Sequence, residues 1–198
     1  MKKMLFIMNP FAGVKRANRH LADILLTFTQ AGYEVITHMT LGRGDATAVA
    51  REKGKDVDLV VCCGGDGTLN EVFAGALGFA NAQVASVPCG SGNDFIRTFG
   101  QSARFLDIAA QMTGRAVPVD LIEANGGVCA AICSVGGDSE VAYGIPKFRR
   151  LPFCGGSMAY QLSIALRVLR PLAKHLRVTV DGRTFEGDYV IATVCNGK

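Results

Sequence analysis

The first half of the sequence alternates short apolar runs with longer segments whose apolar residues recur at helical spacing. Four apolar runs have the length of β-strands: residues 3–8, 33–39, 58–62 and 84–87. Three segments between them have helical periodicity: residues 15–31, 45–54 and 67–77. Strands separated by helices pair in parallel and place helices on both faces of the sheet. The alternation therefore predicts a doubly wound α/β domain.

The pattern changes near Gly114, where two helical segments at residues 93–99 and 103–113 come to an end. Strand-like runs follow at residues 116–123, 127–135, 176–180, 183–185 and 189–194, with one helical segment at 156–169. Asp181-Gly182 has the composition of a hairpin turn, and we also expect a turn at Glu186-Gly187-Asp188. We therefore predict an α/β domain at residues 1–114 and a β-rich domain at residues 115–198.

The composition excludes several classes of protein. With 49% hydrophobic residues among 198, the chain has enough apolar side chains for a sizeable core. The net charge of +4 is too small by itself to indicate a nucleic-acid partner. No apolar stretch approaches the ~18 residues of a membrane span. The apolar run that starts at Met4 is also too short for a secretory signal.

The seven cysteines form no CxxC pair and are odd in number, so the sequence indicates neither a zinc site nor a disulfide framework. We expect reduced, mostly buried thiols, as in a cytosolic protein. The histidines are dispersed, without a carboxylate or cysteine at ligand spacing. We therefore assign no metal ligand from the sequence.

The strongest functional signal is the segment GGDGTLNEV at residues 64–72, which follows a buried strand and opens a helix. Glycines let a backbone approach a phosphate closely, and a helix N terminus presents unpaired N–H groups to it. Thr68 adds a hydroxyl donor. Because a carboxylate repels phosphate, Asp66 must be balanced by Mg²⁺, by a hydroxyl or by nearby N–H donors.

Two other loops occupy equivalent positions in the predicted sheet. NPFAG at residues 9–13 follows the first strand, and GSGND at residues 90–94 follows the fourth. Loops at the carboxyl ends of parallel strands lie at one edge of the sheet, where open α/β sheets bind ligands. Three such loops with small, hydroxyl and amide residues therefore predict a shared phosphate site.

The segments NPFAG, GGDGTLNEV and PCGSGNDFIRTFG, in this order and at these separations, resemble the catalytic domain of the diacylglycerol kinase family. That family includes bacterial lipid kinases and the sphingosine and ceramide kinases. The resemblance implies an N-terminal domain that binds ATP and a C-terminal β-sandwich, incomplete here, with a lipid site in the cleft between them. The implied reaction transfers the γ-phosphoryl group of ATP, with Mg²⁺ carried by the nucleotide, to a hydroxyl of a diacylglycerol-like or other long-chain lipid.

The resemblance also implies roles for individual residues. Asp66 matches an essential aspartate, which we assign to arranging phosphate, metal or acceptor hydroxyl. The residues that match nucleotide-binding positions are Asn9, Pro10, Phe11, Ala12, Gly13, Thr40, Gly64, Gly65, Asp66, Gly67, Thr68, Leu69, Asn70 and Ser91. The residues that match substrate-binding positions are Asn93, Asp94 and Asp138. Ser91 stands where the family usually has threonine, and it retains the hydroxyl.

One motif of the family does not occur in this sequence. Family members carry a later Asp-Gly-Glu-type motif that provides the proposed general base and metal contacts, and the sequence has no Asp-Gly-Glu. We therefore expect a chain truncated at its C terminus, with the general base downstream of Lys198 and needed for full activity. The sequence leaves open an expressed fragment, a truncated gene product, or a homo-oligomer in which a partner completes the β-domain.

The sequence as a whole favours an ATP-dependent lipid kinase domain that is cytoplasmic and contacts the membrane transiently to reach its substrate. Residues 157–172 are flanked by basic residues, and we favour their packing against the β-rich domain over a permanent seat on anionic lipid. Two rivals stay open. One is an NAD kinase-like protein, because such proteins also have a Gly-Gly-Asp-Gly-Thr loop, and the other is a non-catalytic nucleotide-binding module.

Overall fold

The structure is a computed structural model of the chain. It describes residues 1–79, 83–100, 102–137, 139, 161, 164–165 and 173–196, with the side chains of residues 14–19 and 102–103 excepted. Asp138, Cys154 and most of the predicted helix at 156–169 lie outside the described residues. Across the described ranges, no helix is both long enough and apolar enough to cross a lipid bilayer.

A four-stranded parallel sheet confirms the predicted α/β fold class. Its strands are β1 (Lys2–Met8), β2 (Tyr33–Met39), β3 (Leu59–Gly64) and β4 (Val84–Pro88). They lie in the order β2-β1-β3-β4, and every neighbouring pair is parallel. The helices are α1 (Arg16–Gln30), α2 (Asp45–Lys53), α3 (Asp66–Ala76), α4 (Asp94–Arg97) and α5 (Ile108–Thr113).

Helices cover both faces of the sheet. β1 lies between β2 and β3, and its side chains alternate between two buried clusters. On one face, Phe6 packs edge-on against Phe28 of α1, with ring centroids 6.3 Å apart. On the other face, Leu5 and Ile7 pack in a cluster with residues of α2 and α3. Burial on both faces explains why residues 4–8 of β1 form a continuous apolar run.

Among the residues that the structure describes, six further strands pair antiparallel. They are β5 (Ile122–Ala124), β6 (Gly127–Cys129), β7 (Ile132–Gly136), β8 (Lys174–Val180), β9 (Arg183–Tyr189) and β10 (Ile191–Cys195). The pairs are β5 with β6, β7 with β10, and β8 with β9. The predicted change from an α/β to a β-rich pattern is thus present in the second half of the chain.

One of the two predicted hairpin turns is correct. Asp181 and Gly182 both have positive φ, 47° and 78°, as a two-residue hairpin turn of type I′ requires. The turn predicted at Glu186-Gly187-Asp188 is wrong, because these residues lie inside β9. Cross-strand contacts stabilise them there: Arg177 Nε donates to Glu186 Oε2 at 2.8 Å, and His175 Nδ1 lies 3.3 Å from Asp188 Oδ1.

Three other predicted elements have different bounds. The strand predicted at 116–123 begins only at Ile122, and Pro118, which has no N–H to donate to a strand ladder, lies outside it. The strand predicted at 127–135 is divided into β6 and β7. The helix predicted at 103–113 is divided into a 3-10 turn, Ser102–Leu106, and α5. Asp107 restarts the helix by accepting a hydrogen bond from Ala110 N–H at 3.0 Å.

The chain forms two compact units. The first comprises Met1–Ala131 together with Asn196–Lys198, and the second comprises Ile132–Cys195. The first unit contains the parallel sheet with β5 and β6, and the second contains β7 to β10. The first unit continues past Gly114, where the sequence pattern changes. The functional division at residue 114 into an ATP-binding domain and a lipid-substrate domain stays a prediction.

Candidate functional site

The three Gly-rich loops follow β1, β3 and β4 and lie side by side. Asn9 N–H donates to Cys63 O at 2.9 Å, and Cys89 N–H donates to Gly64 O at 2.8 Å. β2 lies on one side of β1, whereas β3 and β4 lie on the other, so the strand order reverses between β1 and β3. Open α/β sheets bind ligands at the carboxyl ends of strands beside such a reversal.

Asn9 joins the first loop to the second. Its Nδ2 donates to Thr68 Oγ1 at 3.0 Å, and its Oδ1 accepts from Phe11 N–H at 3.0 Å. Thr68 is buried, and its oxygen is the acceptor in this contact, so its hydroxyl proton is directed elsewhere. Asn9 therefore shapes its own loop and places it against the first turn of α3.

Asp66 joins the second loop to the third. Its Oδ2 accepts from Asn93 N–H at 2.7 Å, and its Oδ1 accepts from Phe95 N–H at 3.4 Å. Asn93 closes the third loop, since its Oδ1 accepts from Gly90 N–H at 3.0 Å and its Nδ2 donates to Gly90 O at 2.9 Å. Backbone N–H donors thus balance the Asp66 carboxylate, which is one of the three arrangements that the sequence left open.

Glycines allow these loops to pack against one another. A Cβ on Gly90 would lie 2.6 Å from the Cα of Gly65, and a Cβ on Gly13 would overlap the carbonyl oxygen of Cys89. Neither position has room for a side chain. The glycines of the three loops are therefore needed for contact between the loops, in addition to any approach by a phosphate.

The first turn of α3 is open to a ligand. The helix begins at Asp66, and no side chain caps it. Within the described chain, the N–H groups of Asp66, Gly67 and Thr68 have no acceptor, as expected in the first turn of a helix. A Cβ on Gly67 would meet no atom within 4 Å. Unpaired N–H groups and the helix dipole attract anions, so this turn can bind a phosphate group.

Asp45 fixes the loop that carries Thr40. Asp45 Oδ2 accepts from Leu41 N–H at 2.8 Å and lies 3.1 Å from His38 Nε2. The hydrogen bond from Leu41, followed by the one with His38, lowers the pKa of Asp45 below its usual value. Thr40 is buried, and its N–H donates to Met8 O at 2.8 Å. Thr40 therefore lies at the same edge of the sheet as Asn9.

We expect the Asp45→Asn variant to be less stable than the parent protein at neutral pH, with a difference that shrinks below about pH 4. Folding lowers the pKa of Asp45 below its unfolded value of about 3.9. The ionised carboxylate therefore stabilises the fold above that value, and this contribution is lost as the pH falls through the folded pKa. Urea unfolding across this pH range measures the difference. Glu52→Gln, an exposed position in α2, is the control, and a pH-independent difference would contradict the expectation.

Some residues predicted to bind nucleotide are placed differently. Leu69 is buried in the core, so only its backbone could meet a ligand. Asn70 bonds to the backbone of Val128 and Ala130 through its side chain. Phe11 is 80% exposed, and Ser91 is also exposed. The structure thus brings together the loops predicted from the sequence, whereas the nucleotide contacts of these side chains stay predictions.

Glu71 has a structural role that the sequence does not predict. Its Oε1 accepts from Gly44 N–H at 2.9 Å, and its backbone oxygen accepts from Thr47 Oγ1 at 3.0 Å. Glu71 therefore ties α3 to the start of α2. The role of Asp45 could have been predicted, because aspartate side chains often accept hydrogen bonds from N–H groups a few residues away. The partner of Glu71 is 27 residues away, and nothing in the spacing indicates it.

The cysteines of the parallel sheet are buried, free thiols. Cys63 Sγ lies 3.6 Å from Cys89 Sγ, and Cys62 is also buried. Burial raises the pKa of Cys62, and the hydrogen bond with Cys89, together with burial, raises the pKa of Cys63. Protonated, buried thiols are poor nucleophiles. We therefore assign Cys62 and Cys63 to packing, as the sequence predicts, whereas Cys195 is exposed.

The carboxylates of Asp66 and Asp94 both approach Gly92. In the described part of the chain, no group of three or more His, Cys, Asp or Glu side chains could hold a metal ion. The Cβ position at Gly92, however, is 2.9 Å from Asp66 Oδ2 and 3.3 Å from Asp94 Oδ2. Asp94 also faces Arg97 Nη1 at 3.5 Å. Asp66 and Asp94 are therefore neighbours of the same glycine, and carboxylates are ligands that Mg²⁺ accepts.

The first unit is thus a doubly wound α/β domain with three interlocked Gly-rich loops at the reversal of its strand order. The chain belongs to the diacylglycerol kinase catalytic domain family, because the model of that family matches residues 3–124. The family predicted from the loop motifs is therefore confirmed.

Relatives support this membership. A diacylglycerol kinase of Bacillus subtilis (strain 168) is 36% identical, over 98% of this chain and 65% of its own length. A diacylglycerol kinase of Staphylococcus aureus (strain MRSA252) is 30% identical, over 96% of this chain and 61% of its own length. The crystal structure of a diacylglycerol kinase from Bacillus anthracis str. Sterne gives a TM-score of 0.70 at 29% identity, over 99% of this chain and 64% of that one. The chain therefore spans less than two thirds of the length of these proteins.

Proposed function

We propose that this chain is part of an ATP-dependent lipid kinase that transfers the γ-phosphoryl group to a hydroxyl of a diacylglycerol-like or other long-chain lipid. The observation that carries the proposal is the convergence of three interlocked loops on the uncapped first turn of α3. Membership of the diacylglycerol kinase catalytic domain family supports a kinase.

The three loops would hold the phosphates of ATP. Phosphoryl transfer needs an acceptor hydroxyl aligned with the γ-phosphorus and compensation of charge on the phosphate oxygens. The N–H groups at Asp66, Gly67 and Thr68 are donors without an acceptor among the described residues, so they can supply part of that compensation. The loops after β1 and β4 would flank the same phosphates, because Asn9 and Asn93 bond them to the second loop.

The pair Asp66 and Asp94 would hold the Mg²⁺ that accompanies the nucleotide. When bound, the metal supplies positive charge at the phosphate oxygens. An ionised carboxylate has about four lone-pair sites, so Asp66 can bond to Asn93 and Phe95 and still accept another partner. Asp94 and Asn93 lie in the same loop and would also contribute to binding of the acceptor substrate, together with Asp138.

The lipid acceptor is proposed from the family and from the diacylglycerol kinases among the relatives. We also propose that the protein is cytoplasmic. Because a diacylglycerol-like substrate lies in a bilayer, the protein would associate with the membrane transiently in order to reach it.

Binding and label transfer test the proposal. The chain is titrated with Mg·ATP, and transfer from γ-labelled ATP is then measured with diacylglycerol in mixed micelles and with NAD side by side. We expect saturable binding of Mg·ATP and label in the lipid fraction alone. Asp66→Asn should lower transfer by about 100-fold, the effect typical of losing one group that stabilises transition-state charge. Asp56→Asn, an exposed position after α2, is the matched control.

Absence of Mg·ATP binding would contradict the phosphate site, and label on NAD would contradict the lipid acceptor. Unchanged transfer by Asp66→Asn would remove Asp66 from the mechanism.

A further inference from the structure

Asn70 and Asn196 hold one short stretch of backbone, residues 128–131, which we call the junction segment. Asn70 Nδ2 donates to Val128 O at 2.9 Å, and Asn70 Oδ1 accepts from Ala130 N–H at 2.8 Å. Asn196 Nδ2 donates to Ala130 O at 3.0 Å, and Asn196 N–H donates to Ala131 O at 2.7 Å. Two side-chain amides thus fasten this segment within the first unit.

The junction segment lies where the chain leaves the first unit. The chain passes from Ala131 into the second unit and returns to the first at Asn196. The hydrogen bonds of Asn196 therefore join the exit of the chain to its re-entry. If the junction segment becomes more or less ordered, the change therefore affects both places where the chain crosses between the units, after Ala131 and before Asn196.

Asn70 binds the junction segment as a neighbouring β-strand would. In extended backbone, the C=O of one residue and the N–H two residues later point toward the same edge. A carboxamide offers one acceptor and one donor in a single plane, and Asn70 presents both to Val128 and Ala130. β5 pairs with one edge of β6, and Asn70 bonds to the other edge, which β5 does not cover. Two bonds to backbone therefore fix α3 against the junction segment.

Asn70 lies one helical turn after the candidate phosphate site. α3 begins at Asp66, and the four residues from there to Asn70 span about 6 Å of helix. Over this short distance the helix moves as one body, so a ligand held by the N–H groups of its first turn also restrains Asn70.

We propose that Asn70 is a positioning residue that couples nucleotide binding at the first turn of α3 to the order of the junction segment. The proposal rests on the proposed phosphate site. It differs from a direct nucleotide contact, because the Oδ1 and an Nδ2 hydrogen of Asn70 are already bonded to Val128 and Ala130.

Amide hydrogen exchange of the chain, with and without Mg·ADP, tests the coupling at Ala130 and Asn196. We expect Mg·ADP to slow exchange of both amides about fivefold, which is the low end of typical coupling between sites. In Asn70→Ala, both amides should exchange faster, and the effect of Mg·ADP should fall below about twofold. Because the opened state is rare, the affinity for Mg·ADP should change by less than about twofold.

Three further variants keep the test selective. Asn196→Ala loses its side-chain bond to Ala130 O but leaves both Asn70 bonds in place, so exchange at Ala130 should become faster while the effect of Mg·ADP remains. Asn70→Asp keeps an acceptor for Ala130 N–H but loses the donor to Val128 O, so a reduced effect of Mg·ADP in this variant provides the test if Asn70→Ala does not fold. Glu71→Ala is the control, because Glu71 is next to Asn70 but bonds to Gly44, and the full effect of Mg·ADP should remain.

Three results would overturn the coupling. One is a loss of Mg·ADP affinity of about tenfold or more in Asn70→Ala alone, which would mean direct contact with the nucleotide. Another is protection at Ala130 that persists in Asn70→Ala, since a merely structural role would leave the effect of Mg·ADP intact. The third is binding of Mg·ADP by the wild-type chain without any protection at Ala130 or Asn196. No binding at all is a separate result, which would remove the proposed function as well.

Discussion

We expect the Gly13→Ala variant to lose more than about 4 kcal/mol of folding free energy. Gly13 has a φ of 56°, which costs a residue with a Cβ about 1–2 kcal/mol. The new Cβ would also overlap the carbonyl oxygen of Cys89. The Cβ is fixed to the backbone of Gly13, and the oxygen it meets is a backbone atom of Cys89, so neither can rotate away. The overlap is relieved only if the first loop moves away from Cys89 and the third loop that follows it. A loss of this size lowers the Tm by roughly 10 °C or more, which circular dichroism detects.

Gly32→Ala is the matched control for Gly13→Ala. Gly32 also has positive φ, 87°, but a Cβ there would meet no atom within 4 Å. This variant isolates the backbone cost, so we expect a loss of only about 1–2 kcal/mol. Equal losses in the two variants would contradict the close approach between the first loop and the third.

The Gly67→Ala variant should keep its fold but lose affinity for Mg·ADP by about 10- to 100-fold. A Cβ on Gly67 meets no atom within 4 Å, and alanine is favoured over glycine in a helix by up to about 1 kcal/mol. Folding stability should therefore be unchanged or raised. If phosphates lie over the first turn of α3, the new methyl group displaces them from its N–H groups. Each charge-assisted hydrogen bond lost costs about 1.5–3 kcal/mol, which corresponds to the expected decrease in affinity.

Isothermal titration with Mg·ADP and thermal unfolding together test Gly67→Ala. Gly187→Ala is the control, since Gly187 lies in β9 and a Cβ there would have its nearest contact at an ordinary 3.5 Å, with the ring of Tyr189. Undiminished affinity in Gly67→Ala would show that the phosphates do not approach this turn.

The parallel sheet could be predicted from the sequence because its signals are local. Residues 4–8 of β1 and all of β3 are buried, so each stretch is a continuous apolar run that ends at a Gly-rich loop. The position of those loops at one edge follows from parallel pairing alone. The same reasoning predicts that Asn9, Asp66 and Asn93 lie near one another, and the structure confirms this arrangement.

The bonds within the site could not be predicted, because they join residues that are distant in sequence. Nothing in the spacing shows that the Asp66 carboxylate accepts the N–H of Asn93, 27 residues away, or that Asn70 holds Ala130, 60 residues away. The second half of the chain was less predictable for another reason. Its strands are stabilised by contacts with neighbouring strands, which the local sequence does not show. Gly187, for example, has the composition of a turn but lies in β9, next to Glu186, which bonds to Arg177 on β8.

The strand order β2-β1-β3-β4 has a consequence for how the protein emerges from the ribosome. β1, β2 and β3 are neighbours, and all three are complete at Gly64, whereas β4 joins as an edge strand. Because domains generally fold from the N terminus during synthesis, three strands can assemble while the later ones are still being translated. The N–H groups that donate to the Asp66 carboxylate belong to Asn93 and Phe95, and Phe95 is translated 29 residues after Asp66. The nascent chain can therefore form three strands of the sheet before the loop that contains Asn93 can bond to Asp66.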